Sequence, residues 1–309
     1  MVSRNNIVFL GTPQFAAAHL NALIESGENV AGVVSRPDKP KGRGRKTSPT
    51  PVKEVALDND IEIIQPYDPK SIETFEWIKN KDPWLLITVA YGRIVPANIL
   101  DLPSRGAWNV HASLLPRWRG ASPINRAIQY GDAETGVTLM VMDAGLDTGD
   151  ILLQASTRIG ENRTAGELED DLKKIGCRLL LTCIERARDG DLEPRRQPGE
   201  GVTSAPPIEK AEMLIDWGRT AAELHNHIRA FSPKPAVRSG EIKLLGTRLV
   251  EGNVAGPPGS VKNMDRDGII INTGEGLLKV IELQPPGKKP MGAADYARGK
   301  RLKPMDVLK

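Results

Sequence analysis

Ile7-Val8-Phe9-Leu10-Gly11-Thr12-Pro13 lies close to the start of the chain and decides how the rest is read. Four apolar residues ending on a glycine are too few for the apolar core of a secretion signal and match a first buried strand. Gly11-Thr12-Pro13 then reads as a tight turn from strand into helix. It occupies the place of a phosphate-binding loop, but neither G-x-G-x-x-G nor the P-loop spacing is there, which weakens a nucleotide-linked oxidoreductase.

Outward from that strand the same alternation repeats. A helical pattern over 15–25 precedes a strand over 30–34, and a helix over 51–57 begins with Pro51 behind the capping residue Thr50. A strand over 61–64, a helix over 72–80 and a strand over 85–90 follow, with further strands over 107–110, 137–142 and 151–156. A long amphipathic helix over 165–188 closes the series. Strands and helices alternating at this spacing predict an α/β fold, an open parallel sheet with helices on both faces.

The character then changes. Gly190, Pro194, Pro198, Gly199, Gly201, Pro206 and Pro207 punctuate a stretch with almost nothing to pack, which reads as a linker over 190–207 between a first domain, 1–189, and a second, 208–309. The second domain carries one helical segment, 221–231, and strand-like runs over 243–245, 248–251, 268–272 and 276–283 separated by Gly and Pro. That pattern predicts a small β-barrel or sandwich.

The net charge of +3 hides an asymmetry. From Pro207 onward there are 17 basic and 12 acidic residues, leaving 25 against 27 before it. Within that mildly acidic part, Arg36, Lys39, Lys41, Arg43, Arg45 and Lys46 crowd one loop with Asp38 as its single acid. A basic loop and a basic tail suggest a polyanion touched at two places. No run of about 18 apolar residues predicts a membrane span, so the expected compartment is the cytoplasm. Cys177 and Cys183, six apart in a helical pattern, fit neither a metal knuckle nor a redox pair and read as reduced, packed thiols.

Four stretches could carry chemistry. Asn109-Val110-His111 closes a predicted strand, and in an open parallel sheet ligands lie beyond the carboxyl ends of the strands. Alternation puts Asn109 and His111 on one face, where an amide beside an imidazole can hold a developing oxyanion and supply it a proton. A structural strand end would look the same. Next, Arg117 and Arg119 flank Trp118, an arrangement suited to an anionic ligand and equally to a loop packed by the tryptophan. Third, Met142 to Asp150 holds Asp143, Asp147 and Asp150 at spacings wrong for a calcium loop. It reads either as a connection stiffened by Asx turns or as the source of a carboxylate that faces His111 and favours its charged form. Last, the Arg36–Lys46 loop, with Gly42 and Gly44 between its cations, suits a phosphate backbone more than a small substrate.

Taken in order, Gly11-Thr12-Pro13-Gln14-Phe15, the Arg36–Lys46 loop, Ala90-Tyr91-Gly92, Asn109 to Gly120, Gly131 to Thr138 and Met142 to Asp150 resemble the methionyl-tRNA formyltransferases, 10-formyltetrahydrofolate-dependent enzymes, over essentially the whole chain. The shorter Asn-x-His plus Asp pattern resembles the wider group of formyl-folate transferases and hydrolases and sets the reaction class. The basic loop and tail domain select tRNA within it. The resemblance implies a Rossmann-like sheet followed by an OB-like barrel, with 10-formyltetrahydrofolate as formyl donor and methionyl initiator tRNA as acceptor; no ligand cluster in the sequence calls for a metal. It implies Asn109, His111 and Asp147 as a catalytic trio. It further implies Ser113, Leu114, Leu115, Pro116, Tyr91, Gly92 and Asp143 at the folate. Arg36, Lys39, Lys41, Arg43, Arg45 and Lys46 would lie at the tRNA acceptor stem, with Arg43 central. His225 and His227 point apart on a helix and read as structural or near the RNA; His19 reads as a packing or helix-surface residue. Nothing demands more than a monomer. Rival readings are a formyl-folate enzyme acting on a small substrate or hydrolysing the donor, and a non-catalytic RNA-binding protein.

Overall fold

The computed structural model describes residues 5–41 and 46–308, with side chains outside 40–47. The chain forms two compact units that interleave along the sequence. One comprises Met1–Ala121, Gly136–Ser156 and Asp171–Ser204; the other comprises Ser122–Thr135, Thr157–Asp170 and Ala205–Lys309.

In chain order the first strands and helices are β1 (Ile7–Gly11), α1 (Gln14–Glu25), β2 (Val30–Val34), β3 (Lys39–Lys41), β4 (Lys46–Ser48), α2 (Pro51–Asp58), β5 (Ile63–Ile64), α3 (Ile72–Lys79), β6 (Leu85–Val89), α4 (Ala97–Leu100) and β7 (Ala107–His111). Then come β8 (Arg119–Gly120), α5 (Pro123–Gln129), β9 (Glu134–Val141), β10 (Ile151–Arg158), α6 (Ala165–Asp189) and β11 (Ser204–Ala205). Seven of these strands make one sheet in the order β10-β9-β7-β6-β1-β2-β5. The pairs β1–β2, β1–β6, β2–β5 and β6–β7 are parallel, whereas β9 runs antiparallel to β7. The sheet is therefore mostly parallel, with an antiparallel strand beside β7.

The central strands are continuous apolar runs because both faces are covered. On one face Val8, Leu10, Val34 and Leu86 pack with Ile78 of α3 and Ile99 of α4. On the other, α6 crosses α1 so closely that a Cβ on Gly176 would lie 2.5 Å from His19 Nε2 and 3.6 Å from Val110. Helix starts follow their local chemistry: Thr50 and Ser71 accept hydrogen bonds from Lys53 N (3.2 Å) and Thr74 N (3.3 Å) at the heads of α2 and α3. Cys177 and Cys183 are free thiols on α6, and burial pushes them up to about 11 and about 12 respectively, so neither is a reactive nucleophile.

The second unit contains α7 (Ala221–Ala230), β12 (Val237–Ser239), β13 (Ile242–Val250), β14 (Val261–Met264), β15 (Ile269–Asn272), β16 (Leu277–Gln284), β17 (Met291–Gly292) and α8 (Ala293–Lys300). Its strands form an antiparallel sheet ordered β12-β13-β16-β15-β14, with β17 on β16. Helix α7, started by a reciprocal Thr220–Glu223 capping box, packs on β13 and β16. Helix α5 joins this unit by packing on α7, where Asn125 donates to Ala230 O at 2.6 Å and the Arg126 guanidinium pairs with Glu212. Both tail histidines are buried and occupied: His225 bonds Thr247 Oγ1 (2.8 Å) and Glu161 O (3.0 Å), and His227 bonds Glu212 O (2.7 Å).

The 190–207 stretch, which reads as a linker, is mostly exposed but pinned in places. Ile151 and Arg195 exchange backbone hydrogen bonds at 2.7 and 2.8 Å, and β11 pairs with β8. Pro and Gly mark the absence of a helix or hydrophobic periodicity, but backbone pairing of this kind needs neither.

Candidate active site

The sheet order reverses direction between β6 and β1, and in such sheets ligands settle at the carboxyl ends of the strands there. Three strand ends meet at that rim. Gly11 of β1 is in register with Val89 of β6, and Thr88 of β6 with Asn109 of β7. The turns beyond β1 and β6 are tied together by Thr12 Oγ1, which donates to Tyr91 O at 3.1 Å.

At the end of β7, Asn109 and His111 share a side of the sheet, as alternation requires. The connection from β9 to β10 brings Asp147 against both. Asn109 Nδ2 donates to Asp147 Oδ1 at 3.2 Å, and His111 Nδ1 lies 3.6 Å from Asp147 Oδ2. That second oxygen also accepts Gly120 N at 2.8 Å. The other imidazole nitrogen, Nε2, is 2.9 Å from the Trp118 carbonyl, which can only accept, so Nε2 carries a proton. A charged imidazole would thus meet an acceptor on each side, Trp118 O and Asp147. The two side chains have different surroundings. His111 is 6 % exposed with Nε2 already engaged, whereas Asn109 is half-buried and its second amide hydrogen has no partner among the described residues.

The Asp147 loop is stiffened from within. Asp143 Oδ1 accepts from Gly145 N (3.0 Å) and Thr148 Oγ1 (2.7 Å), an Asx turn. A Cβ on Gly149 would sit 1.9 Å from Val141 O, so only glycine lets the loop close there. Asp147 itself has φ +53° and Trp118 φ +64°, the left-handed region that side chains avoid. Backbone strain at both partners of His111 is the kind of outlier that gathers at functional sites.

The expected folate segment is a tightly built loop. Ser113 is fully buried, its hydroxyl donating to Arg117 O at 2.6 Å. Thr138 Oγ1 donates to Ser113 O (2.7 Å) and accepts from Leu115 N (3.1 Å), while Gln154 Nε2 holds Leu115 O at 2.9 Å. Leu115 is buried; Leu114 and Pro116 are half-buried and can meet a ligand. The Tyr91 ring is buried and packs in the cluster of Val8, Leu10 and Val34, while its backbone carbonyl accepts from Thr12 Oγ1. Likewise Arg119 is committed to Gln197, and the Arg117 guanidinium lies 4.4 Å from the centroid of the buried Trp118 ring, so this motif is loop packing before it is anion binding.

Arg36 lies with its guanidinium against Gly92, 3.2 Å from where a Cβ would be. The base of the basic hairpin β3–β4 is clamped by Gln65, which donates to Arg36 O and Asp38 Oδ1, both at 2.7 Å, and by Lys53, 2.6 Å from Asp38 Oδ2. Lys39 is exposed; the side chains of Lys41 and Lys46, and residues Arg43 and Arg45 entirely, lie outside the described residues. Among the described residues no group of three His, Cys, Asp or Glu is placed to hold a metal ion, and no helix is long and apolar enough to cross a membrane.

The formyl transferase family matches residues 5–184, and the formyl transferase C-terminal domain matches residues 207–301. The chain belongs to the formyl transferase family. Within the family it is similar to two curated proteins named methionyl-tRNA formyltransferase. The protein of Symbiobacterium thermophilum is 46 % identical, over 95 % of this chain and 92 % of its own. That of Citrifermentans bemidjiense is 44 % identical, over 98 % and 96 %. The fold is also that of WlaRD, a sugar 3N-formyl transferase solved in the presence of dTDP and 5-N-formyl-THF, at a TM-score of 0.68, 20 % identity, 93 % of this chain and 99 % of that one. The residues between the two family matches include Gln197 and Thr203, to which sequence reasoning assigned nothing. Gln197 bonds the Asp147 loop and Thr203 the Trp118 loop, and no motif or periodicity signals either.

Proposed function

We propose that the chain transfers a formyl group from 10-formyltetrahydrofolate to the amino group of methionine on initiator tRNA, as a one-carbon transferase of translation initiation acting in the cytoplasm as a monomer. The observation that carries the reaction class is the convergence of Asn109, His111 and Asp147 at the end of β7 in a chain of this family. The choice of tRNA rests on the curated relatives, which match nearly end to end, basic tail included. The sugar-acting relative shares the fold at 20 % identity and lends no comparable support to a small substrate.

In this reading the methionine amine attacks the formyl carbon, forming a carbon–nitrogen bond while negative charge gathers on the formyl oxygen. Asn109 offers that oxygen its open amide N–H. His111 places a positive charge beside it, and its Nε2–H can pass from the Trp118 carbonyl to the oxygen as charge builds. Asp147 pairs with the imidazolium and takes a proton from the attacking amine directly or through water. The oxyanion then collapses to the carbonyl, the bond to the folate nitrogen breaks, and that nitrogen takes up the proton that Asp147 removed from the amine, directly or through water. Leu114, Pro116 and the Tyr91–Gly92 backbone would border the folate, while Arg36, Lys39, Lys41, Arg43, Arg45 and Lys46 would meet the acceptor stem. The functional division we assign is catalysis in 1–189 and tRNA holding in 208–309.

The test supplies labelled 10-formyltetrahydrofolate with methionyl initiator tRNA, and in parallel with amino-sugar nucleotides or water alone. Label on the methionyl-tRNA supports the reading; label only on the sugar, or free formate alone, overturns the substrate assignment.

A further inference from the structure

We infer that Gln197 and Thr203 are positioning residues for catalysis, so that the segment between the two family matches aligns both groups that flank His111. The inference rests on the trio reading above and deepens it.

Gln197 is nearly buried, and its amide is fully used. Nε2 donates to Asp147 O at 2.9 Å and Gly149 O at 2.7 Å, while Oε1 accepts from Arg119 Nη2 at 2.6 Å and Nε at 3.1 Å. Carbonyls only accept and guanidinium only donates, so one orientation of this amide satisfies all four bonds. The group it holds is the carbonyl of Asp147, the residue with φ +53°. A residue in that region stays there only when its surroundings over-determine it, and Gln197 supplies much of that determination.

Thr203 does the same on the other side of the imidazole. Its hydroxyl accepts from Trp118 N at 2.9 Å, and its carbonyl accepts from Arg119 N at 2.9 Å. Trp118, at φ +64°, is the residue whose carbonyl accepts His111 Nε2. Two positions on, Gly120 N donates to Asp147 Oδ2. The short run 118–120 therefore touches both catalytic partners, and the 197–203 segment grips it by backbone at Thr203 and by the Arg119 side chain at Gln197. Removing either grip lets a carbonyl or a carboxylate drift by a fraction of an ångström, which is enough to cost about 10- to 100-fold in rate when reacting groups must be aligned.

The experiment measures single-turnover formyl transfer by the full-length protein, with KM for methionyl initiator tRNA and for 10-formyltetrahydrofolate, in wild type, Q197M, T203V and T203S, each checked for its melting transition. Q197M keeps the volume and loses every hydrogen bond; T203V loses only the hydroxyl. We expect Q197M and T203V to lower the transfer rate about 10- to 100-fold with each KM within about threefold, and T203S to restore most of the rate. Because Gln197 acts through Asp147, Q197M added to Asp147→Asn should lower the rate less than threefold further, a failure of additivity expected for coupled residues. Full activity in Q197M, or an undiminished further loss in the double variant, overturns the inference. Should Q197M fail to fold, the T203V and T203S pair decides: equal rates in the two overturn it. Unimpaired transfer by His111→Ala would instead overturn the trio reading itself, whatever the 197–203 variants do.

Discussion

Asp147 pays for its place with a left-handed backbone, and what surrounds it explains why it stays: Asn109 on one carboxylate oxygen, Gly120 N and His111 at the other, and a loop that closes only over Gly149. Asn109→Ala removes the amide hydrogen proposed to meet the developing oxyanion, and loss of one such donor typically costs about 10²–10³ in turnover. We expect a loss of that size in kcat with an unchanged melting transition; a kcat within tenfold of wild type would contradict the assignment. At this scale the sequence was informative where chemistry needs particular residue types. Asn109 and His111 are two polar groups closing an apolar strand, and strand alternation placed them together. Tyr91 and Arg119 show the limit, because a motif says which residues are near a site and not which way they face. The Tyr91 ring turned into the core, and Arg119 turned to a glutamine 78 positions away.

Among the elements, the β1–α1 turn, the alternation of strands with helices and α6 follow from apolar patterning, whereas the strand order and the antiparallel β9 do not, and α6 meets α1 at a contact the pattern does not reveal. A Cβ on Gly176 would lie 2.5 Å from His19 Nε2 inside the interface. His19 cannot retreat, since its Nδ1 is 2.8 Å from Phe15 O and its ring is fully buried, a burial that holds it at about 4, well below the usual imidazole range. Gly176→Ala should therefore destabilise by about 1–3 kcal/mol, the usual cost of overpacking, read as a lower denaturation midpoint. An unchanged midpoint would mean the helices slide apart freely. The 190–207 stretch reads as a linker, and its two backbone bonds with Ile151 and the bonds of Gln197 leave no periodic trace in the sequence. For the β3–β4 hairpin, whose base is clamped by Lys53, Asp38 and Gln65, tRNA at saturation should slow tryptic cleavage at Arg43 and Arg45; unchanged cleavage would remove the hairpin from the tRNA interface.

For the molecule as a whole, the acidic limit of stability should be set partly in the second unit. Hydrogen bonding from the Arg126 guanidinium holds the Glu212 carboxyl at about 2 against an ordinary value of 4.5. A carboxyl depressed in the folded state stabilises fully above its unfolded value, and that contribution is lost as pH falls from about 4.5 through 2. The melting temperature of wild type should fall more steeply across that window than that of Glu212→Gln, and parallel curves would contradict it. The division of labour seen in charge, a mildly acidic first part and a tail of 17 basic against 12 acidic residues, matches a catalyst that must hold a large polyanion while working on a small group at its end.

The central claim is that the Asn109, His111 and Asp147 cluster transfers formyl to the methionine of initiator tRNA. Its most direct test is the single-turnover rate of labelled formyl appearing on methionyl initiator tRNA, wild type beside His111→Ala at equal folded concentration. The account predicts rapid transfer by wild type and a rate lower by about 10²-fold or more in the variant. Equal rates in the two proteins, or a wild type that releases formate without labelling the tRNA, would contradict it.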